Sequence, residues 1–320
     1  MQFEDFYELA GIESPISDPD TAHLSVDRNQ IVSSNDLPGL TIDAEPTENG
    51  IDLSVIAEEG RVFENPVHFC FGVTPSEGKQ IINIDPIEIR EGAKISALAH
   101  CLFPRAKDVE HVMEADVRLG KGASFGYFEK HIHSPTGGTR VVPKGKYHLG
   151  ENSKLRTDFE LLQGRAGELG IDYRMTGEKN SELDATVRVD SSGHDRVDVK
   201  ENADLVGKGA TGVIKTRIAA RENAEAYVTN KLVGAAPNAR GHVDCKEIAD
   251  DEGNAGATPI VRVKHPQAHV THEAAIGSVN KKELETLLSK GLSEEKATGM
   301  IVNSLLASEE DEGIPSPDEL

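Results

Sequence analysis

The sequence predicts a β-solenoid of two main sheets followed by a short helical segment. Three observations carry this. Apolar and polar residues alternate through the middle of the chain, as in Glu182-Leu-Asp-Ala-Thr-Val-Arg-Val189, which is period two and not 3.6. A turn triplet recurs as Glu91-Gly92-Ala93, Lys121-Gly122-Ala123, Glu151-Asn152-Ser153, Lys179-Asn180-Ser181, Lys208-Gly209-Ala210, Glu222-Asn223-Ala224 and Pro237-Asn238-Ala239. Its last residues are spaced by 30, 30, 28, 29, 14 and 15. Gly and Asn tolerate the left-handed backbone of a tight turn, and a small residue lets the chain re-enter a strand. A half-period of 14–15 fits one strand, a turn and a connecting step. Two such units make a coil, and stacked coils make a solenoid. An antiparallel sandwich is the rival, but its turns come about every 8–12 residues and need not resemble one another.

Residues 1–60 are predicted to form an N-terminal helix and an irregular arm. Phe3, Phe6, Tyr7 and Ala10 have helical spacing and Gly11 follows as a stop. Residues 12–60, rich in Asp, Ser, Pro and Asn, have room for one or two short strands. The solenoid is expected over 61–278. A helical segment follows over 279–307: Leu284, Leu287 and Leu288 precede Gly291, and Ser293 stands before Glu294 and Glu295, acids that suit a helix N-terminus. Ala297, Ile301 and Leu305 continue the apolar face. That face exceeds what two short helices can bury against each other, so part of it is expected on the solenoid end. The acidic tail over 308–320, with Pro315 and Pro317, is expected to be disordered.

Composition narrows function. Thirty-four basic residues against 55 acidic ones give a net charge of −21, which repels phosphate backbones and anionic membranes. No nucleic-acid or membrane partner is expected. The longest apolar run, Ile95 to Phe103, is too short to span a bilayer, and no basic residue opens the chain as in a signal peptide. A soluble cytoplasmic protein is predicted. With aromatics at 4% and no Trp, the core must be built from small and branched side chains. Three cysteines, Cys70, Cys101 and Cys245, are too sparse for a disulfide framework and point to free or metal-binding thiols.

Several motifs dissolve on inspection. Gly122-Ala-Ser124-Phe-Gly126 matches a nucleophile elbow, but that motif needs a helix after the turn, and here more strand follows. Gly207-Lys-Gly-Ala-Thr-Gly212 is a repeat turn, not a phosphate-binding loop. His131 and His133 could share one strand face as half of a metal site, or be two solvated histidines. His265 and His269 do not make the metalloprotease pattern, because Pro266 breaks the helix it needs. His272 and Glu273 lie on opposite sides by strand alternation.

The stretches Ala239-Arg-Gly-His-Val-Asp-Cys-Lys-Glu-Ile248, Val270-Thr-His-Glu-Ala-Ala-Ile-Gly-Ser-Val279, Ser289-Lys-Gly-Leu-Ser-Glu-Glu-Lys-Ala297 and Ile301-Val-Asn303 resemble the SufB/SufD family, the scaffold subunits of SUF iron–sulfur cluster assembly. The likeness runs from about Ile81 to Leu306 and is greatest to short members from archaea and minimal systems. It implies a right-handed parallel β-helix with C-terminal α-helices. It implies a scaffold, not an enzyme, which builds a transient iron–sulfur cluster with a separate SUF ABC-type ATPase bound at the helical segment. It implies a homodimer formed through the β-helix, a sulfur donor protein and apo-protein acceptors. By the same resemblance Cys101 accepts sulfur, while Cys245, His272 and Glu273 hold the nascent cluster. Three cysteines per chain leave the cluster type open, and no residue supports flavin, which the resemblance leaves open. Two other readings stand beside this one. Many β-helices are polysaccharide lyases or hydrolases working in a carboxylate-lined groove, and a SufD-like chain would be a structural partner of the ATPase without cluster chemistry.

Overall fold

The turn triplets stack at one corner of a solenoid. Gly92, Gly122, Asn152, Asn180, Gly209 and Asn238 all have φ between 54° and 72°, the left-handed region where a side chain beyond Asn is strained. In the Glu222-Asn223-Ala224 turn, at the opposite corner, Glu222 takes that conformation instead. The third residue of every triplet is fully buried. Successive corners are tied by backbone hydrogen bonds: Gly92 N–H to the Lys121 carbonyl (2.9 Å), Gly122 to Glu151 (2.8 Å), Asn152 to Lys179 (2.8 Å), Asn180 to Lys208 (2.9 Å) and Gly209 to Pro237 (2.9 Å).

The computed structural model describes residues 18–307; the helix expected over 1–11 and the tail over 308–320 lie outside the described residues. The strands are β1 (His23–Asp27), β2 (Gln30–Asn35), β3 (Leu40–Pro46), β4 (Gly50–Ala57), β5 (Val67–Gly72), β6 (Glu77–Ile89), β7 (Lys94–Phe103), β8 (Asp108–Leu119), β9 (Ser124–His133) and β10 (Thr139–Leu149). They continue as β11 (Lys154–Gln163), β12 (Glu168–Gly177), β13 (Glu182–Ser191), β14 (Arg196–Leu205), β15 (Thr211–Ala220), β16 (Glu225–Gly234), β17 (Arg240–Ala249), β18 (Asn254–Val263) and β19 (His269–Gly277). From β5 on, odd strands stack in one sheet and even strands in the other, all parallel. The period of 28–30 is therefore one full coil of the parallel β-helix, in about eight turns. Residues 18–57, read from sequence as part of an irregular arm, carry four strands. β1 pairs parallel with β5 and β4 with β6, while β2 and β3 pair antiparallel to them and close the N-terminal end.

Between the sheets the inward side chains form one core, from Leu24 and Ile51 through Phe125, Phe159 and Val187 to Val243 and Cys245. The far end is different. β18 and β19 each have a neighbour on one side only, and nearly every residue of β19 is exposed.

Two helices follow, α1 (Lys281–Ser289) and α2 (Glu294–Leu306). Asn280 caps the first by accepting from the Lys282 and Glu283 N–H groups, and Ser293 caps the second by accepting from Lys296 N–H. They do not pack on the solenoid end as expected. Ala297, Val302 and Leu306 are buried; Val302 and Leu306 cluster with Ala219, which faces outward on β15, and with Leu162. Arg188 donates to the Leu306 carbonyl at 3.2 Å. The outer sheet face offered small residues and a guanidinium where the end offered open backbone. Among the described residues no helix is long and apolar enough to cross a membrane.

Candidate functional site

Cys101 points inward from β7 and is fully enclosed. Around its thiol converge His111 from β8 and Glu129 and His131 from β9, all 2% exposed or less. Residues i and i+2 of a strand share a face, so Glu129, His131 and His133 form a row pointing into the coil. Cys101 Sγ lies 3.8 Å from His111 Nε2 and 3.9 Å from Glu129 Oε1, and Glu129 Oε1 is 2.6 Å from His131 Nε2. Cys101, Glu129 and His131 offer ligand atoms all within 4.8 Å of one another, the one such group among the described residues. Burial pushes the Cys101 thiol well up and the Glu129 carboxyl up to about 8. The same desolvation pushes His131 and His133 down to about 3 and His111 well down. The pocket therefore rests uncharged near neutral pH, although nearly every group in it can ligate.

Cys245 points inward from β17, five strand steps farther along the same sheet, about 24 Å at the usual 4.8 Å per step. Its thiol is 3.5 Å from the Asn230 amide, which stands 2.7 Å from Thr216 Oγ1 and 3.2 Å from Glu201 Oε2. Burial, with Glu247 nearby, pushes the Cys245 thiol up to about 12. Glu247 shares Cys245's side of the strand, is buried with both carboxylate oxygens unpartnered, and is pushed up to about 7 by burial.

Between the thiols the interior is not open. Tyr127, Tyr147 and Tyr173 lie buried between the two polar groups, with Tyr147 and Tyr173 edge to face at 5.7 Å. Gly145 is required beside them, since a Cβ there would stand 2.4 Å from the Tyr147 ring. The remaining cavity, lined by Met113 and the three tyrosines, is about 10 Å³, at the lower limit for one water. The small and branched side chains that composition predicts for the core give way here to a tyrosine-filled, close-packed stretch.

The other predicted ligands sit at the open end. His272 is in register with Val243 and Glu273 with Asp244, while Cys245 is opposite Ala274. Within one chain His272 thus falls on Cys245's side of the sheet and Glu273 on the other, both exposed. The carboxylate sharing Cys245's side is Glu247, signalled in the sequence only as Cys245-x-Glu247. His131 and His133 are buried on β9, not solvated in a loop. Glu129 and His111 were not singled out; the signal for Glu129 is its alternation with His131 and His133. Ser124 opens a strand, so no nucleophile elbow forms. The groove outside β6, β8, β10 and β12, about 390 Å³, has its acids in ion pairs: Glu114 with Lys144, Asp116 with Arg118, Asp172 with Arg174.

Comparison with known proteins follows the fold. Residues 74–305 match the family described as SUF system FeS cluster assembly, SufBD core domain. The chain is 36% identical over 281 residues to an iron–sulfur cluster assembly SufBD family protein of Methanocaldococcus jannaschii, covering 88% of this chain and 89% of that one. It is 31% identical over 302 residues to one of Pyrococcus horikoshii, covering 94% and 92%. A longer relative from Methanothermobacter thermautotrophicus is 27% identical over 259 residues, 79% of this chain and 54% of its own.

Proposed function

The chain belongs to the SufBD family of iron–sulfur cluster assembly proteins, and from that premise we propose that it is a scaffold subunit on which a nascent cluster is built beside a separate SUF ABC-type ATPase. The observation that carries this reading is the pair of enclosed thiols, Cys101 and Cys245, facing one solenoid interior, each among buried polar side chains. Scaffold chemistry needs a thiol that takes sulfur and a mixed ligand set that holds iron without keeping the product.

Cys101 is assigned the first task. Its thiolate attacks the terminal sulfur of a donor protein's persulfide, and the donor leaves as a thiolate. Cys245 is assigned the second, with His272 and Glu273 as partners. Imidazole and carboxylate are borderline and hard donors that accept iron, and they hold a cluster less firmly than four thiolates. The iron–sulfur cluster is cargo in this reading, so the chain acts as a scaffold and not as an enzyme.

A second copy completes the site. Cys245 is one strand from the open end, and the exposed β19 edge invites pairing. A two-fold partner would bring its own His272 and Glu273 to that edge, which resolves their lying on opposite faces within one chain. The ATPase is assigned to the face of α1 and α2 turned away from the solenoid.

Anaerobic reconstitution with iron and sulfide, with and without the ATPase, tests the reading by UV–visible and Mössbauer spectroscopy. Cys245→Ala is expected to abolish cluster formation even with free sulfide, whereas Cys101→Ala is expected to be rescued by free sulfide. Equal loss in both under added sulfide refutes the division of roles. Normal assembly by Cys245→Ala leaves the chain a structural partner without cluster chemistry.

A further inference from the structure

We propose that Cys101, Glu129, His131 and His111 form an enclosed four-ligand site for a divalent transition-metal ion, separate from the cluster site at Cys245 and filled only while Cys101 carries no sulfur. Four observations converge on it.

The spacing fits. Bonds of about 2.3 Å to sulfur and about 2.0–2.2 Å to nitrogen and oxygen put the donors of a tetrahedral site roughly 3.2–3.6 Å apart. The thiol stands 3.9 Å from Glu129 Oε1, and with His131 these three offer ligand atoms within 4.8 Å of one another, whereas His111 Nε2, 3.8 Å from the thiol, lies outside that group and must swing in to complete the set. The 2.6 Å contact between Glu129 and His131 opens as both turn to the ion.

Both imidazoles are aimed. Gln80 donates its amide N–H groups to the Arg28 and Gly72 carbonyls at 3.0 and 3.1 Å, which fixes its oxygen as an acceptor for His111 Nδ1 at 3.0 Å. His111 therefore carries its proton on Nδ1 and presents the Nε2 lone pair to Cys101. His133 Nδ1 donates to the Arg165 carbonyl at 3.0 Å, so its Nε2 accepts from His131 Nδ1 at 3.2 Å. The Nε2 lone pair of His131 then faces the cluster. A ring proton held by a carbonyl-type oxygen, with the opposite nitrogen left bare, is how proteins orient metal-binding histidines; His111 has this arrangement directly, and His131 through His133, whose own proton the Arg165 carbonyl holds.

One donor is idle. Glu129 is 2% exposed and its Oε2 makes no close hydrogen bond, the Tyr127 hydroxyl standing only within looser reach of the carboxyl. A buried acceptor left unpaired is costly. A core whose histidines were merely satisfied would explain neither that oxygen nor a thiol with only long contacts.

Charge and donor type select the ion. Thiolate and carboxylate neutralise a 2+ ion, releasing one proton from each acid as it binds. One sulfur, one oxygen and two nitrogens suit the Fe²⁺, Co²⁺ and Zn²⁺ class and not Mg²⁺ or Ca²⁺. Phe103 and Phe159 wall the site, with ring centroids 5.0 Å from His111 and 4.7 Å from His131, which keeps water from the ion.

Cobalt is the probe, supplied in the expression medium so that it is present while the chain folds around an enclosed site. The full-length protein is expected to retain about one cobalt per chain, with a thiolate charge-transfer band and one sulfur scatterer at about 2.3 Å in X-ray absorption. Cys101→Ser should remove the band and the sulfur scatterer; Glu129→Gln and His131→Gln should lower occupancy at least tenfold; Cys245→Ala should leave both signals intact. No retained cobalt, cobalt without a sulfur neighbour, or signals lost in Cys245→Ala instead of Cys101→Ser would each overturn the site. The wild-type absorption measurement decides even if a variant fails to fold. Neither ATPase nor sulfide is needed, so a protein that builds clusters but fails with cobalt sinks this inference alone.

Discussion

Glu201 points inward from β14 with Oε1 unpartnered and Oε2 3.2 Å from Thr216 Oγ1; Asn230, Tyr173 and Cys245 lie around it. Burial pushes its carboxyl from 4.5 up to about 8. The sign follows from proton counts. Between those values the unfolded chain has ionised while the folded one still holds the proton, so stability falls as pH rises through that window and levels off above it. Glu129 adds the same trend. Below about pH 6.5 the buried His111, His131 and His133, which take up protons on unfolding, oppose this trend, so the urea-unfolding free energy is expected to decline from about pH 6.5 to 8, by up to about 1.4 kcal/mol per pH unit for one such group. Glu201→Gln should flatten part of the decline and exceed the wild type at pH 8. Parallel curves for wild type and variant would remove Glu201 as a source. Residues of this kind were only half legible in the sequence. Alternation says that Glu129, His131 and Glu201 share faces with core residues, but an inward polar residue shows its chemistry only beside its neighbours. Those come from β7, β8 and β9, up to 30 residues apart, and short-range spacing does not pair Cys101 with His111.

The repeated elements were legible because each corner must solve the same steric problem. A left-handed residue followed by a small buried one is needed wherever a strand turns, so composition reports geometry directly. The first four strands lack such triplets: β2 and β3 run antiparallel and close an end instead of repeating a coil, which is why 12–60 read as an arm. The helices show a subtler gap. Ala297, Ile301 and Leu305 were expected to define the buried stripe of α2, whereas Ala297, Val302 and Leu306 are buried and Ile301 and Leu305 are half-buried. The sheet face rotates the helix toward Arg188 and Ala219, which no helical periodicity encodes. Leu288 on the first helix and Met300 on the second are 38% and 49% exposed. The double variant Leu288→Asp, Met300→Asp is expected to lose the ATPase in a pull-down while its thermal unfolding stays that of the wild type. Binding that survives would move the docking surface off the helices. Leu306→Asp is the contrasting change: it should raise hydrogen exchange across 281–307 and leave the solenoid protected.

At the scale of the molecule the two ends of the solenoid differ. The first is closed by antiparallel β2 and β3, whereas the last ends on β18 and β19, which offer unpaired backbone groups and side chains such as Val263 and Ile276, 54% and 48% exposed. Stacked folds need capping ends, and bare edges associate. A second copy related by a two-fold axis covers both of these edges at once. Against this stands charge: each chain carries −21, so two chains repel at long range. That repulsion is screened over about 8–10 Å at ordinary ionic strength, while backbone pairing and apolar contact at the edge are not. Dimerisation should therefore tighten as salt rises from low to moderate concentration, the reverse of an interface held by exposed ion pairs. Light scattering is expected to give twice the chain mass for the wild type. Val263→Lys with Ile276→Lys, which sets like charges on the inward side of that exposed edge, in register with Gly234 and Glu247, should give a monomer whose preceding coils keep their hydrogen-exchange protection. If Cys245 shares its cargo with the partner's His272 and Glu273, the monomer should also fail to assemble a cluster with free iron and sulfide. A wild type that scatters as a monomer at every salt concentration, or a double variant that remains dimeric, would place the association elsewhere and leave Cys245 to work with Glu247 and the His272 of its own chain.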